Sequence, residues 1–506
     1  MSSRSLTLPI NRVEGDLEVS VEISDNRVVA ARIAGTMFRG FEQMMKGRGL
    51  LDGLVITPRI CGICSTSHLY AAALALDRLH TAKVPDNAIR MRNLTHIAEH
   101  LQSDLRHAIL MFAVDFAHDS YRNRSFFAEA ERCYAPLRGE SAISTVRATR
   151  SIVEIVALIG GQWPHSSFMV PGGIVSTPSP AELRKCRLIL EEFSQWYQHR
   201  ILGGPLDAWQ QVQSAADLEA WCGDPAHAGG DLARLRRIAA ELRLDQGAPA
   251  LHFISGGALP LPATEATPGN SHLLPGGFWS LGKLSAFEPG LIREHLASSF
   301  YREDSRFESP FQGRTHPDLD KKGAYSWVKA PRYAGKPAET GALAELLCAG
   351  HPLLTDLVTT RGLGPWAREL ARLVRPAVLL PAALRWLRQT DPAQGYYIQP
   401  APVETVRHGL GLVEASRGLL GHWLEANGES IENYQIITPT SWNASPRDKH
   451  GRSGPMEQAL LGIEVEDPDN PLELGHLVRS FDPCLVCAVH SLHKNGRSLL
   501  RLGSPL

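Results

Sequence analysis

The sequence predicts an α+β protein with a large helix-rich body, a long central helix bundle, an N-terminal antiparallel sheet and inserted hairpins. Three observations support this fold class. Apolar residues alternate near the N-terminus, they recur at helical spacing through much of the remaining sequence, and glycine and proline concentrate in one long internal stretch. No repeat of fixed period and no linker-like segment divides the 506 residues, so we expect a single domain over residues 1–506.

The N-terminal sheet is predicted from alternating apolar residues within residues 5–36, among them Leu17, Val19, Val21 and Val28. Alternation places every second side chain on the same face of a strand. This segment therefore favours two or three antiparallel strands with one buried face.

The first long helix is predicted to begin near Asp86, because apolar residues then recur every three or four positions. A second helix is expected over residues 142–159, where Gly160 and Gly161 provide a stop. Residues 179–201 and 205–245 also have helical patterns.

The second half of the sequence changes character twice. Residues 250–340 are rich in glycine, proline and aromatic residues, which favours hairpins and irregular loops inserted between helices. Helical spacing returns near Glu339 and is predicted to continue to about Leu424. A strand-like run follows at residues 433–448, and a short helix is expected around residues 471–478.

Composition and charge exclude several classes of protein. Apolar residues make up 43% of the sequence and charged residues 21%, which is typical of an ordered globular protein. The net charge of −1 gives no general attraction to nucleic acid or anionic lipid. The first residues contain no apolar stretch of signal-peptide length, so we expect a cytoplasmic protein, with peripheral association at the cytoplasmic face of the membrane as the alternative.

Four of the eight cysteines form two CxxC pairs, in RICGICSTSH (residues 59–68) and DPCLVCAVH (residues 482–490). Two thiols three positions apart can bind one metal ion, and two pairs could share a four-thiolate site. A redox pair, a structural zinc site and buried core cysteines remain alternatives. Because Cys64 and Cys484 are 420 residues apart, a site containing both requires the complete fold around it.

The remaining histidines and cysteines that could bind a metal have simpler interpretations. His96 and His100 have the HxxxH spacing of a metal-binding helix face, but no acidic third ligand accompanies them. We interpret them as buried or interface histidines. The isolated cysteines are interpreted as small apolar core residues: Cys133, Cys186, Cys222 and Cys348.

The two cysteine motifs occur together with RVEG at 12–15, FRGFE at 38–42, EASRG at 414–418 and a PTSWN…PRD run at 439–448. Through this set the sequence resembles, over essentially its full length, the large subunit of nickel–iron hydrogenases. All four motif cysteines are present, so the resemblance implies a metal-bearing oxidoreductase. A structural zinc-binding scaffold protein is the alternative from another class of function.

By residue-for-residue match, the resemblance assigns Cys61 and Cys484 as terminal nickel ligands. Cys64 and Cys487 would bridge nickel to an iron that carries cyanide and carbon monoxide. Soft thiolates suit both metals. The implied reaction is heterolytic oxidation of H2 to protons and electrons.

Further catalytic roles follow from the same resemblance. The Cys484 thiolate is expected to accept the first proton, because the guanidinium of Arg417 is a poor base and would instead orient hydrogen or stabilise charge. Glu14 would take the proton onward. Asp482 would pair with Arg417.

Supporting residues are also implied. Thr440 would hydrogen-bond an iron cyanide, and His68 would act near a bridging sulfur. A magnesium site is implied at Glu42, His490 and the backbone carbonyl near Ile436.

The sequence departs from common family motifs at Asp16, where RxEGH has histidine, and at Ser416, where EAPRG has proline. Within the family, an uptake enzyme must be distinguished from an H2 sensor. Sensors tend to carry glutamine at the position of His68 and phenylalanine at that of Met111, in the gas channel. This sequence has His68 and Met111, which favours uptake, whereas Ile63 in the same channel is sensor-like.

Partners are implied by what the sequence lacks. The isolated cysteines do not form a motif for iron–sulfur clusters, so electrons need a separate iron–sulfur small subunit in an obligate heterodimer. Nickel-insertion proteins and a maturation protease are also implied. The protease would remove residues 491–506 by cleaving after His490, a tail that sensors lack. No nucleic-acid partner is expected.

Overall fold

The computed structural model of the protein describes residues 3–245, 252–303, 309–402 and 405–488. The strands in these ranges are β1 (Ser3–Pro9), β2 (Leu17–Ser24), β3 (Arg27–Gly35), β4 (Met169–Val170), β5 (Gly173–Ile174), β6 (His252–Ser255), β7 (Ala258–Pro260), β8 (His272–Leu274), β9 (Gly277–Ser280), β10 (Lys283–Ser285), β11 (Ile292–His295), β12 (Ala330–Tyr333), β13 (Arg407–Ala415), β14 (Gly418–Asn427) and β15 (Ser430–Ile437).

The α-helices in the same ranges are α1 (Phe41–Met45), α2 (Gly53–Ile56), α3 (Ser65–Leu79), α4 (Asp86–Arg106), α5 (Phe127–Tyr134), α6 (Glu140–Ile152), α7 (Glu154–Gly160), α8 (Pro180–Trp196), α9 (Leu206–Trp209), α10 (Ala215–Gly223), α11 (Asp231–Glu241), α12 (Ala342–Cys348), α13 (Pro352–Arg361), α14 (Pro365–Gln389), α15 (Pro439–Asn443), α16 (Pro455–Leu460), α17 (Leu472–Ser480) and α18 (Leu485–Ala488). The predicted α+β class is confirmed. Among the described residues, no helix combines the length and apolar character needed to cross a membrane.

The predicted N-terminal sheet is confirmed. Strands β1, β2 and β3 pair side by side in antiparallel fashion. The alternating apolar residues of β2 and β3 form one buried face, which packs against α16 and α17 through residues such as Met456, Leu474 and Val478. Because α17 ends at Ser480, this packing brings the N-terminal segment close to the second cysteine pair.

The long central helix is α4, which begins at Asp86 as predicted and is buried along nearly its whole length. It packs against α3, α6, α7 and α14 and is therefore the axis of the helix bundle. After Arg106 the backbone continues as a π-helical turn, His107–Phe112. Such turns distort the regular helical spacing and are frequent at functional sites.

The remaining helical predictions are confirmed with changed boundaries. The predicted 142–159 helix is divided at Val153 into α6 and α7, and it stops at Gly161, which adopts a left-handed φ of 83°. Residues 179–201 form α8 followed by a second π-helical turn, and residues 205–245 contain the shorter helices α9, α10 and α11. Helix α3 is not predicted by the sequence pattern, because it is buried on nearly all sides and so lacks an amphipathic stripe.

The predicted continuation of helix to about Leu424 is wrong. Helix α14 ends at Gln389, and residues 407–427 form the antiparallel β13–β14 hairpin. The cause lies in packing against α3. A Cβ atom at Gly411 would lie 1.8 Å from the carbonyl oxygen of Ala71, so glycine is needed for close contact between strand and helix.

The hairpins expected in residues 250–340 are present in the described part of that segment. Strands β7 and β8 pair, β9 pairs with both β6 and β10, and β11 pairs with β12. In the run at 433–448, β15 joins the edge of β14 and leads into α15. The expected C-terminal helix is α17.

Candidate metal centre

The first cysteine pair is positioned by the start of α3. Cys64 is the N-cap residue of this helix, and Cys61 lies just before the turn that leads into it. The first backbone N–H groups of a helix have no acceptor within the helix itself. In α3 the Glu99 carboxylate of α4 accepts two of them, from Thr66 at 2.7 Å and from Ser67 at 2.9 Å. This contact fixes the first pair relative to the central helix.

The second pair is held by the RVEG segment at the opposite end of the sequence. Glu14 and Cys484 form a parallel β-bridge, and the backbone N–H of Leu485 donates to the Glu14 carbonyl at 2.6 Å. Gly15 has a φ of +84°, and a Cβ atom there would lie 3.0 Å from the backbone nitrogen of Val486. The glycine of RVEG therefore permits the close approach of the two segments.

The four motif cysteines come together as predicted. Their sulfur atoms all lie within 4.8 Å of one another, and all four side chains are buried and free of disulfides. The Sγ–Sγ distances are 3.0 Å for Cys484 and Cys487, 3.3 Å for Cys64 and Cys487, and 3.7 Å for Cys61 and Cys484. Four soft donors in this arrangement are suited to thiophilic metal ions.

The pKa values of these thiols shift in opposite directions. Hydrogen bonding from the Cys484 thiol lowers the pKa of Cys61, whereas burial raises the pKa of Cys487. Thiols must be deprotonated to bind a metal, so metal binding at this cluster would release protons.

Arg417 is presented to the cysteines by a two-residue turn, because β13 ends at Ala415 and β14 begins at Gly418. Its Nε lies 3.0 Å from a carboxylate oxygen of Asp482, which confirms that the two residues are paired. Burial alone would lower the pKa of Arg417, but the charge of Asp482 raises it above its usual value. The side chain therefore stays protonated, as expected of a poor base.

The Nη1 atom of Arg417 is buried and has no hydrogen-bond partner among the described residues. Arg417 also lines an enclosed pocket between the sulfurs and an apolar wall. The other residues around this pocket are Cys64, His68, Ala415, Leu420, Pro439, Thr440, Cys484 and Cys487. A buried N–H donor without a partner, in a pocket bounded by thiols, fits a metal centre with small anionic or polar ligands.

Asp482 is part of a larger network that sequence reasoning does not find. Its carboxylate lies 3.2 Å from His107 Nδ1, and His107 Nε2 lies 3.1 Å from Glu369. Arg372 donates to Glu369 at 2.9 Å and to the carbonyl of Ser480 at 2.7 Å. We call this buried series, in which basic and acidic side chains alternate, the charged network: Arg417, Asp482, His107, Glu369 and Arg372.

His107 reaches this position because it is the first residue of the π-helical turn after α4. Burial alone would lower its pKa, but the carboxylates of Asp482 and Glu369 raise it above the ordinary value for histidine. Neither Glu369 nor Arg372 belongs to a recognisable motif.

A second buried carboxylate ties together the segments that carry Glu14 and Cys484. Asp115 pairs with Arg12, with Arg479 at 2.7 Å and with His476 at 3.2 Å. Arg12 lies two residues before Glu14, and Arg479 lies at the end of α17. Asp115 therefore holds both segments against the helix bundle.

Glu14 is half-buried beside the cysteines. Burial is the main cause that raises the pKa of its carboxyl group, and the nearby charge of Cys61 acts in the same direction, while Arg417 opposes them. A carboxyl group with a raised pKa is suited to accept and release protons. Its position is consistent with the predicted relay, whose role stays a prediction.

Thr440 and His68 both line the pocket. The hydroxyl of Thr440 accepts a hydrogen bond from the backbone N–H of Cys484 at 2.8 Å, which leaves its own hydrogen available to another group. His68 uses Nδ1 to contact His422 Nε2 at 3.2 Å. The predicted roles at an iron cyanide and at a bridging sulfur are not tested by these contacts.

The predicted magnesium ligands are partly described. Glu42 accepts a hydrogen bond from the backbone N–H of Ile436 at 2.8 Å, and the ammonium of Lys329 lies 3.0 Å from its carboxylate. The side-chain oxygen of Gln435 accepts from Lys329 at 2.8 Å. His490 lies outside the described residues.

The two residues predicted to line the gas channel are half-buried: Ile63 lies beside Cys64, and Met111 lies in the π-helical turn. His96 and His100 are buried, as interpreted from the sequence. His96 lies 3.0 Å from the Ser67 hydroxyl, and His100 contacts the Glu414 carbonyl at 2.8 Å. The isolated cysteines are also buried: Cys133, Cys186, Cys222 and Cys348.

A buried cluster of four thiols, assembled from both ends of a helix-rich fold and facing a fixed guanidinium, defines a thiolate-ligated metalloprotein. The sequence matches the nickel-dependent hydrogenase family over residues 39–121 and 231–490, which is more than half of its length. The protein belongs to this family, and it is a hydrogenase large subunit, an oxidoreductase.

Relatives and solved structures agree with this assignment. The protein is 33% identical to the large subunit of the periplasmic [NiFeSe] hydrogenase of Desulfomicrobium baculatum, over 96% of this chain and 94% of that protein. It is 27% identical to the hydrogenase-2 large chain of Escherichia coli K12, over 99% of each. The structure of the H2-activated [NiFeSe] hydrogenase of Dm. baculatum superposes with a TM-score of 0.83 at 30% identity, covering 97% of this chain and 100% of that one.

Proposed function

We propose that this protein is the catalytic large subunit of an uptake nickel–iron hydrogenase, which splits H2 heterolytically and passes the electrons to an iron–sulfur small subunit. The observation that carries the proposal is the cluster of four buried thiols, three of which line an enclosed pocket together with Arg417. The Nη1 atom of Arg417 has no hydrogen-bond partner among the described residues. Zinc in a structural site would use the thiols alone and would not require a guanidinium held over them.

The residues fit the expected metals. Cys61 and Cys484 would bind nickel terminally, and Cys64 and Cys487 would be shared between nickel and iron. When bound, the two metals, with cyanide and carbon monoxide on iron, would supply the chemistry that polarises and splits H2. Thr440 has a hydroxyl hydrogen available for a cyanide, because its oxygen already accepts from Cys484 N–H.

The protein's own residues would then move the proton. The Cys484 sulfur is the proposed first acceptor, and the half-buried carboxyl group of Glu14 the next, since its backbone is bridged directly to Cys484. Arg417 keeps its charge and would orient hydrogen or stabilise negative charge in the pocket.

Magnesium is proposed at Glu42, His490 and the carbonyl near Ile436. Glu42 and Gln435 supply oxygen donors of the type that a hard cation prefers, and Lys329 already places a positive charge against Glu42. Metal analysis of the wild type and of Glu42→Gln tests this site, because loss of magnesium with nickel retained is the expected result.

The preference for uptake over H2 sensing rests on His68 and Met111, at positions where the resemblance gives sensors glutamine and phenylalanine. Rapid H2 oxidation with an artificial electron acceptor is expected of an uptake enzyme. Slow turnover with an intact metal centre would favour the sensor.

An iron–sulfur small subunit is proposed because electrons have no exit among the described residues. The four motif cysteines are the only cluster of cysteine, histidine or carboxylate ligands found in the described part of the chain. Relatives are named large subunits or large chains, which supports a partner. Co-purification with a cluster-bearing subunit is the expected result.

Maturation partners and location also belong to the proposal. We expect nickel-insertion proteins to load the site and a protease to remove residues 491–506 after His490. Intact-mass analysis of active enzyme should find a subunit that ends at His490, and active protein that keeps Leu506 would contradict the cleavage.

Cell fractionation tests the expected cytoplasmic location, including attachment at the cytoplasmic membrane face, against the periplasmic location named for the Desulfomicrobium relative.

The central experiment combines metal analysis with infrared spectroscopy on the purified heterodimer. Nickel and iron, together with the stretching bands of iron-bound cyanide and carbon monoxide, are the expected result. Zinc without these bands would instead support the structural alternative.

A further inference from the structure

Three buried polar side chains form a hydrogen-bonded series that begins at the pocket with His68. His68 of α3 contacts His422 of β14 at 3.2 Å through Nδ1 and Nε2, and His422 Nδ1 contacts the hydroxyl of Tyr434, in β15, at 2.8 Å. The three side chains are at most 2% exposed. We call these three side chains the neutral network.

The series contains two imidazoles and a phenol, and no carboxylate, ammonium or guanidinium group belongs to it. Burial lowers the pKa of His422 well below its usual value and raises the pKa of Tyr434 above its ordinary range. The His422 imidazole therefore carries one proton, and the phenol keeps its own.

One proton serves each of the two hydrogen bonds, so the protons can be arranged in two directions. In the first direction, Tyr434 donates to His422 Nδ1, His422 Nε2–H donates to His68 Nδ1, and His68 carries its proton on Nε2. In the second direction, His68 donates from Nδ1 to His422, and His422 donates from Nδ1 to the phenol oxygen. His68 Nε2 then has a lone pair in place of a proton.

The hydroxyl hydrogen of Tyr434 determines which of the two directions is more stable. In the second direction the hydroxyl hydrogen of Tyr434 would need another acceptor, and the described residues supply none. A buried donor left without an acceptor is unfavourable, because water cannot compensate for it. In the first direction both hydrogen bonds have a donor and an acceptor, and the phenol hydrogen is used. The remaining proton, on His68 Nε2, belongs to a side chain that lines the pocket, where thiolate sulfurs can accept a hydrogen bond.

We propose that Tyr434 and His422 are positioning residues that fix the tautomer of His68 with its proton on Nε2. His68 lines the pocket together with Cys64 and Cys487, and Nδ1 is already occupied by His422. Its remaining nitrogen is then a hydrogen-bond donor on a side chain that lines the same pocket as the two sulfurs proposed to be shared by the metals. A donor draws electron density from a thiolate, whereas a lone pair would repel it. The inference rests on the proposed function.

Neutron diffraction on crystals of the wild-type heterodimer, soaked in D2O, tests the tautomer without any substitution. Deuterium on Nε2 of both His68 and His422 is the expected result. Deuterium on Nδ1 of His68 would overturn the inference.

A second experiment tests the effect on the metals. Tyr434→Phe removes the only donor that sets the direction, so the infrared bands of iron-bound cyanide and carbon monoxide should shift to lower wavenumber with nickel content unchanged. Tyr197→Phe is the matched control, since its fully buried hydroxyl donates to the Leu373 carbonyl at 2.8 Å away from the pocket. Its bands should match the wild type.

The outcomes separate the two proposals. Wild-type protein without these bands would refute the proposed function. Bands that are present in all three proteins, and that do not move in Tyr434→Phe, would refute this inference alone. If Tyr434→Phe does not assemble, the neutron experiment still decides the tautomer.

Discussion

The neutral network and the charged network lead from the same four sulfurs but work by different physics. In the neutral network, hydrogen bonds between uncharged groups determine which way each proton points. In the charged network, alternating basic and acidic side chains determine where each group lies, and each buried charge depends on its neighbours for compensation. Separate sets of residues can therefore give one metal pocket both a fixed direction of hydrogen bonding and a fixed charge.

The largest effect is expected where the two networks meet. Replacing any one of the motif cysteines by alanine should abolish H2 oxidation and deplete nickel, because each sulfur belongs to the cluster: Cys61, Cys64, Cys484 and Cys487. Cys186→Ala is the control, since Cys186 is equally buried but lies in α8. Full activity in any of the four variants would contradict the shared site.

Glu14→Gln tests a residue that belongs to neither network. Glutamine preserves the shape of the side chain but cannot carry a proton onward. We expect turnover to be lost while nickel and iron remain at wild-type levels, as measured by H2 oxidation and elemental analysis. Poor assembly of this variant would show instead that Glu14 has a structural role.

Asp482→Asn breaks the charged network between Arg417 and His107 and leaves Arg417 buried without its counter-charge. Loss of one partner of a buried ion pair costs about 3–5 kcal/mol, so we expect a clearly lower unfolding temperature together with lower activity. Asp469→Asn provides the same chemical change in an exposed pair with Arg4. Surface pairs contribute about 0–1 kcal/mol, so a similar loss in both variants would argue against the network.

His107→Gln should have the smallest effect and the clearest pH dependence. A buried hydrogen-bonding group left partly unsatisfied costs about 1–3 kcal/mol. The pKa of His107 is raised in the folded protein, so its stabilising contribution is complete below the unfolded pKa of about 6.5 and is lost as pH rises through the folded value. The stability difference between wild type and variant, measured by thermal unfolding across pH, should therefore shrink as pH increases. A constant difference would mean that His107 is not charged.

The sequence predicts the pocket better than it predicts the networks. The motif cysteines, Arg417, Asp482 and Glu14 lie in short motifs, so their chemistry is visible locally and the structure brings them together. His107 and Glu369 are 262 residues apart. Their contact depends on a π-helical turn, which apolar spacing does not reveal.

Prediction of the fold from the sequence fails for a similar reason. The N-terminal sheet and α4 are predicted because each has one regular apolar pattern. Strands β13 and β14 are mistaken for helix, because Gly409 and Gly411 are required by the backbone of α3 and not by their own neighbours in sequence. Contacts between distant segments therefore account for the errors in both the fold and the site.

The assembly of the thiol cluster from two distant parts of the chain also has a consequence for biosynthesis. Cys61 and Cys484 are separated by 423 positions, and synthesis at about 5–20 residues per second takes roughly 20–85 s to cover that distance. During this time the first thiol pair exists on a ribosome-bound chain without the partners that would complete its coordination. We therefore expect correct metal loading to be a post-translational event, and we expect nascent chains to be most vulnerable to oxidants and competing metals in this interval.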